Sequence, residues 1–159
     1  MAIYFSGDDI IDMAVQTEET GCDFYRVAQS QAKSQKLKSL FQYLAEEEKK
    51  HKEAYEGLRG QITEKAVGTA VDWDELGLYI KAMTDSSFFV GEKKNIDFAA
   101  RAKDEKEAVD FAMDFEKDTL LFFYQIRDLV KASGKAVVDA IIEAEKEHIR
   151  KLSEVKSTL

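Results

Sequence analysis

The 159 residues fit one domain, and an apolar fraction of 45% with ten Phe and six Tyr is enough to bury a core, which excludes a disordered or linker protein. Acidic residues outnumber basic ones by 31 to 23, and no basic stripe is interleaved with aromatics, so a nucleic-acid surface and an anionic membrane surface are both disfavoured. The only cysteine, Cys22, excludes an internal disulfide and a four-cysteine iron centre.

With no proline and abundant Glu, Lys, Ala and Leu, the chain is expected to be all-α. Ser6 and Asp9 form a start signal, and apolar residues at three- and four-residue steps predict a first helix over about residues 8–32. Ser34 caps a second helix over 35–58, stopped by Gly57 and Gly60. Periodicity weakens over 60–103, where Gly68, Gly77 and Gly91 lie. There, one short helix is expected around Asp74 to Met83, and the apolar Phe88, Phe89 and Val90 are expected to cover the core. Asp104 with Glu107 starts a third helix over 104–133, with Gly134 as its stop, and a fourth helix follows over 135–155. Short, long and short connections define a single four-helix bundle domain with a long crossover between helices 2 and 3. The N-terminus has no basic, apolar leader pattern, and no run reaches the roughly 18 uncharged residues of a spanning helix, so a soluble, cytoplasmic protein is expected.

Both histidines of the chain lie in Glu-x-x-His motifs, Glu48 to His51 and Glu145 to His148. Glu18 precedes the first motif by 30 residues and Glu116 the second by 29, so the chain reads as two similar halves. All four glutamates occupy positions where a hydrophobe belongs. Glu18 is flanked at helical spacing by Ile11, Ala14, Val15, Cys22 and Tyr25, and Glu145 by Val138, Ile141, Ile142, Ile149 and Leu152. Residues at equal distance from a turn share one level in antiparallel helices. The midpoint between Glu18 and the first motif falls near residue 34, and that between Glu116 and the second near residue 131, in or beside the two predicted turns. Glu and His three apart on a helix project from one face. Six groups therefore converge on one core layer. Four buried carboxylates would each cost several kcal/mol if ionised and unpaired, and no Lys or Arg lies at the right phase to neutralise them. Two divalent cations would. Mixed carboxylate and imidazole ligation suits iron, manganese or zinc, and this ligand set is that of dinuclear carboxylate bundles. The metal ligands predicted are Glu18, Glu48, His51, Glu116, Glu145 and His148. The plainer alternative places Glu48, Glu145 and the histidines on solvated faces of acidic helices.

The runs Glu18-Glu19-Thr20-Gly21-Cys22-Asp23-Phe24-Tyr25, Glu116-Lys117-Asp118-Thr119-Leu120-Leu121-Phe122-Phe123-Tyr124 and Glu143-Ala144-Glu145-Lys146-Glu147-His148 resemble the helix motifs of the rubrerythrin-like branch of the ferritin-like superfamily. The resemblance covers essentially the whole chain. It implies a ferritin-like bundle holding two metal ions, iron first with manganese or zinc as alternatives. It further implies terminal or chelating roles for Glu48 and Glu145, imidazole ligation by His51 and His148, and bridging or shifting roles for Glu18 and Glu116. Tyr25 and Tyr124 match tyrosines that hydrogen-bond ligand carboxylates, although both also suit a plain core position. The sequence departs from the family pattern in three ways. It carries no Cys₄ rubredoxin segment, so electrons would come from an external donor such as a rubredoxin-type protein. Thr119 stands where peroxidase-type relatives carry an extra glutamate. A fifth helix of the kind that closes ferritin cages is missing, so a mineral-storing shell is not expected. Cys22, one turn after Glu18, reads as a small buried residue, with a redox role as the alternative.

The expected function is reduction of hydrogen peroxide or dioxygen by a di-iron oxidoreductase. The alternatives are a non-catalytic metal-buffering or sensing protein and, more distantly, a bundle working through association. A homodimer is expected, and helices could be exchanged between its chains.

Overall fold

Local capping chemistry sets the first three helix starts. The Ser6 hydroxyl accepts from the Asp9 backbone N–H at 3.1 Å while the Asp9 carboxylate accepts from the Ser6 N–H at 2.7 Å, a reciprocal capping box that opens α1, Gly7–Gln31. Ala32 is extended, and the Ser34 hydroxyl then accepts from Leu37 N–H to start α2, Gln35–Glu56. Gly57 caps α2, and Gly60 takes the left-handed conformation (φ 74°) that glycine adopts without steric cost. Asp104 caps α3, Glu105–Leu129, by accepting from Glu107 N–H. The box there is only half made, because the Glu107 carboxylate accepts from Lys103 N–H rather than from the cap residue. Ala132–Lys156 form α4. The computed structural model describes residues 6–62, residue 78 and residues 99–159. The short helix expected at 74–83, apart from helical Leu78, and the Phe88 to Val90 cluster lie outside the described residues.

The last turn differs from expectation. Helix 3 does not run to residue 133 with Gly134 as its stop. Val130 and Lys131 are both extended (ψ 153° and 157°), so the chain reverses there and Gly134 falls in the first turn of α4. Gly134 is a packing residue. A Cβ on it would lie 3.2 Å from Leu58 Cδ2 and 3.4 Å from Val130 Cβ, so the missing side chain lets the start of α4 close on the end of α2. The level midpoint near residue 131 located this turn better than the glycine did.

Polar contacts at the two ends fix the directions of the helices. At one end the Glu105 carboxylate accepts from the backbone N–H groups of Lys33 (2.6 Å) and Ser34 (2.8 Å), so α3 begins beside the α1–α2 turn. At the other, Lys131 N–H donates to the Gln61 carbonyl at 3.0 Å, which seats the α3–α4 turn beside the end of α2. Thus α3 runs parallel to α2, and the end of α2 and the start of α3 lie at opposite ends of the bundle. Within it, α1 packs on α2 and α3 on α4.

The core is divided in two. Toward the α3–α4 turn, Ile10, Ile11, Leu58, Phe122, Ile126 and Ile142 form one buried cluster. Toward the α1–α2 turn, Phe24, Leu37, Phe41, Leu44, Val109 and Leu152 form another. Each such side chain contributes on the order of 1.5–3 kcal/mol by leaving water. Between the clusters lies a polar layer. No described helix is long and apolar enough to cross a membrane.

Candidate metal centre

One glutamate from each helix enters the polar layer, and the amphipathic stripe of each helix places it there. Glu18, Glu48, Glu116, Glu145 and His148 are all 0% exposed, and His51 is 6% exposed. The solvated-face alternative is therefore excluded for Glu48, Glu145 and both histidines. Their ligand atoms form two overlapping groups, Glu18, Glu48, His51 and Glu145 in one and Glu48, Glu116, Glu145 and His148 in the other, each with its atoms within 4.8 Å of one another. Two four-residue sets sharing two carboxylates are what a pair of adjacent cations requires.

Sharing falls on different residues from those the resemblance suggested. Glu48 and Glu145 belong to both groups, whereas Glu18 and Glu116 each belong to one. Glu145 displays this directly: its Oε1 lies 2.7 Å from His51 Nδ1 and its Oε2 lies 3.0 Å from His148 Nδ1. Glu48 and Glu145 thus stand between the two groups, and Glu18 and Glu116 at their outer ends. Spacing along the chain could not distinguish these roles, because they depend on distances between helices.

Both imidazoles turn Nδ1 inward. His148 Nδ1 is 3.5 Å from Glu48 Oε1 and from Glu116 Oε1, and His51 Nδ1 is 3.8 Å from Glu18 Oε1. These approaches lack the alignment of hydrogen bonds. Both carboxylate oxygens of Glu18, Glu48 and Glu145, Oε2 of Glu116, and Nδ1 of both histidines are buried without a hydrogen-bond partner. So many orphaned lone pairs around one point would be costly in a purely structural layer. They fit two divalent cations, with hard carboxylate and borderline imidazole donors in the proportion suited to iron, manganese or zinc.

Electrostatics without metal point the same way. Burial, reinforced by the field of Glu48, pushes the Glu18 carboxyl well above the usual range, and burial with the fields of Glu48 and Glu116 does the same to Glu145. Burial opposes charge on Glu116 and His148 as well, but their proximity outweighs it: Glu116 is held below its usual value and His148 far above its own. In the metal-free layer charge is thus favoured on Glu116 and His148 and disfavoured on Glu18 and Glu145. Burial first, and the charge of neighbouring His148 after it, lower His51 against the opposing field of Glu48.

The two tyrosines singled out from sequence part company. The Tyr25 hydroxyl, fully buried, donates to Glu116 Oε1 in a short hydrogen bond, reaching from α1 to α3. Tyr124 is 38% exposed, with the Lys146 ammonium 5.8 Å from its ring centre. It is not behind the ligands. Tyr25 follows Glu18 by seven residues, nearly two full turns, whereas Tyr124 follows Glu116 by eight and is rotated off the face. The matching residue on α2 is Tyr55, seven after Glu48, which is 0% exposed with an unpartnered hydroxyl and is raised by burial and by Glu18, Glu145 and Glu48. The seven-residue offset from Glu48 is the sequence signal that marks Tyr55. Thr119 is fully buried with an unpartnered hydroxyl, and Cys22 is buried with its thiol pushed up mainly by desolvation.

Beside this layer, a groove of about 520 Å³ runs between α2 and α4, lined by Ala54, Ala136, Val137, Ala140 and Ile141, with Glu47, Lys50 and the edge of His51 on it. Glu47 sits below its usual carboxyl value because Lys50, bonded to it at 2.5 Å, and the two histidines outweigh its partial burial.

A four-helix bundle with this crossover and a buried layer of four carboxylates and two imidazoles defines a ferritin-like dinuclear carboxylate protein. The Rubrerythrin family profile matches residues 9–156, and the chain belongs to that family. A search of curated proteins finds no match. Among solved structures, the chain is similar to a candidate ferritin-like diiron-carboxylate protein of Thermotoga maritima. The two are 30% identical with a TM-score of 0.69, over 97% of this chain and 96% of that one.

Proposed function

We propose that this protein is a di-iron oxidoreductase that reduces hydrogen peroxide or dioxygen with electrons from an external donor. The observation that carries the reading is the pair of overlapping ligand groups sharing Glu48 and Glu145. Two iron ions held there would supply the electrons of the reduction.

The chain's own residues supply the remainder. Glu48 and Glu145 tie the two positions together, Glu18 and Glu116 complete them from opposite sides, and His51 and His148 set Nδ1 toward each. Tyr25 holds Glu116 in place by its hydrogen bond, so that carboxylate is the more constrained of the outer pair. The apolar clusters on both sides exclude bulk water from the layer. Of the six ligands only His51 has an exposed edge, and it opens on the small-residue groove between α2 and α4, which suits peroxide or dioxygen better than an organic substrate. With Thr119 in place of a further carboxylate, each position draws one outer glutamate and one histidine, a symmetric set that favours neither oxidant.

The test is stopped-flow mixing of anaerobically ferrous-loaded protein with hydrogen peroxide and with dioxygen, followed by ferric absorption and repeated after re-reduction. Rapid oxidation by either, over repeated cycles, is expected; the faster oxidant identifies the substrate. Failure to oxidise with both would leave a metal-holding protein in place of an enzyme.

A further inference from the structure

Glu47 is adjacent to a ligand on α2 but belongs to neither four-residue group. It makes a third group with His51 and His148, one carboxylate oxygen and one nitrogen of each ring lying within 4.8 Å of one another. Glu47 and His51 are four apart on α2 and share a face. The two imidazoles are nearly parallel, with centroids 5.5 Å apart and planes inclined by 21°, so a single carboxylate can meet an edge of both. With Nδ1 of each ring turned to the four glutamates, Nε2 is the nitrogen left for Glu47. That of His148 is buried and has no hydrogen-bond partner.

We propose that Glu47 is a positioning residue shared by both ligand histidines, accepting a hydrogen bond from Nε2–H of His51 and of His148. The proposal rests on the dinuclear reading of the layer. A neutral imidazole bound through Nδ1 must carry its proton on Nε2, and a buried donor left unmet is destabilising. Metal-ligating histidines ordinarily give that proton to a carboxylate or carbonyl, which fixes tautomer and ring direction. Glu47 has the acceptor capacity, since an ionised carboxylate offers about four lone-pair sites and Lys50 occupies one oxygen. At 19% side-chain exposure it is shielded enough for such bonds to matter and free enough to close the remaining gap by rotation. One residue of one helix would thereby lock the imidazoles of both halves of the site.

The experiment compares wild type, Glu47→Ala, Glu47→Gln and, as a control for an acidic neighbour on α2, Glu46→Ala. Cobalt(II) is titrated against a competing chelator, and the histidine ring N–H protons of the zinc-loaded proteins are followed by ¹⁵N-edited NMR. Expected are two metals in every variant, an affinity about ten- to a hundredfold weaker in Glu47→Ala, partial recovery in Glu47→Gln and no change in Glu46→Ala. Both Nε2–H signals should be protected from exchange in wild type and lose that protection in Glu47→Ala. Equal affinities and unchanged ring signals in Glu47→Ala and Glu46→Ala would overturn the role of Glu47 while leaving the dinuclear site intact. A third cobalt equivalent in wild type that disappears in Glu47→Ala would overturn it in favour of an outer cation site. Fewer than two metals in wild type would take down the dinuclear reading and this proposal together.

Discussion

Tyr25 and Tyr55 are chemically the same residue at the same offset from a ligand glutamate, yet only one has a partner. Tyr25 donates to ionised Glu116, and a hydrogen bond to a charged group contributes about 1.5–3 kcal/mol, so Tyr25→Phe should destabilise the metal-free protein by about that amount. Tyr55 buries an unmet hydroxyl, so Tyr55→Phe should be neutral or slightly stabilising. Urea unfolding of both variants, prepared free of metal, checks the contrast; equal losses would contradict it. At this scale the sequence was legible wherever a residue violated its surroundings. A glutamate in an apolar stripe stands out, which is why all four could be found. A tyrosine in the same stripe does not, which is why Tyr55 was passed over and Tyr124 taken up. The sharing of Glu48 and Glu145 between two groups was beyond reach for another reason: it is a property of four helices at a few ångströms, and no single segment encodes it.

Helix starts are written in Ser6, Ser34 and Asp104, and each was readable because a cap is a bond between near neighbours. Gly134 was misread as a stop because glycine has two uses, a left-handed turn and a close approach, and sequence does not separate them. Close approach also explains Gly21, in the middle of α1. A Cβ there would lie 2.9 Å from Phe115 Cε1 and 3.2 Å from Glu48 Cδ, so the bare backbone is what admits a ligand carboxylate of α2 and a ring of α3 against α1. Gly21→Ala gains about 1 kcal/mol of helix propensity but incurs roughly 1–3 kcal/mol of overpacking. A net loss of about 0–2 kcal/mol is expected, together with weaker metal binding through displacement of Glu48. Gly134→Ala meets the flexible end of Leu58 and should stay within about 1 kcal/mol of wild type, with metal binding unchanged. Thermal unfolding and cobalt titration of the pair would show it; a Gly21→Ala protein that binds two metals as tightly as wild type would contradict the packing account.

Across the whole molecule, two apolar clusters surround a layer that repels its own charge until cations arrive. Glu18 and Glu145 are raised on folding, so in the metal-free protein they bind protons that the unfolded chain has released above about pH 4.5. Stability from such groups is fully present below the unfolded value and declines as pH rises toward the folded one, by about 1.4 kcal/mol per pH unit for each extra proton held. Raised His148 acts in the same direction above its unfolded value of 6.5, whereas the lowered Glu116 acts oppositely and only on the acid side. Metal-free protein should therefore unfold more readily at pH 8.5 than at pH 5.5. Metal-loaded protein should show a smaller decline, and loading near neutral pH should release protons. Calorimetric titration in buffers of different ionisation enthalpy counts those protons, and a count of zero would contradict the charge balance proposed for the layer. The bundle, its crossover and its ligand layer were readable because periodicity, turn positions and the two Glu-x-x-His motifs agree with one another; the proposed oxidant and electron donor would make their contacts outside the chain, where no residue pattern records them. The most direct test of the central claim is the number of cobalt(II) ions bound per chain in wild type, Glu18→Ala and Glu145→Ala. Two are expected in wild type, one in Glu18→Ala, where the Glu116–His148 position survives, and none held tightly in Glu145→Ala, which removes a ligand common to both. Two ions retained in Glu145→Ala would contradict the shared dinuclear centre.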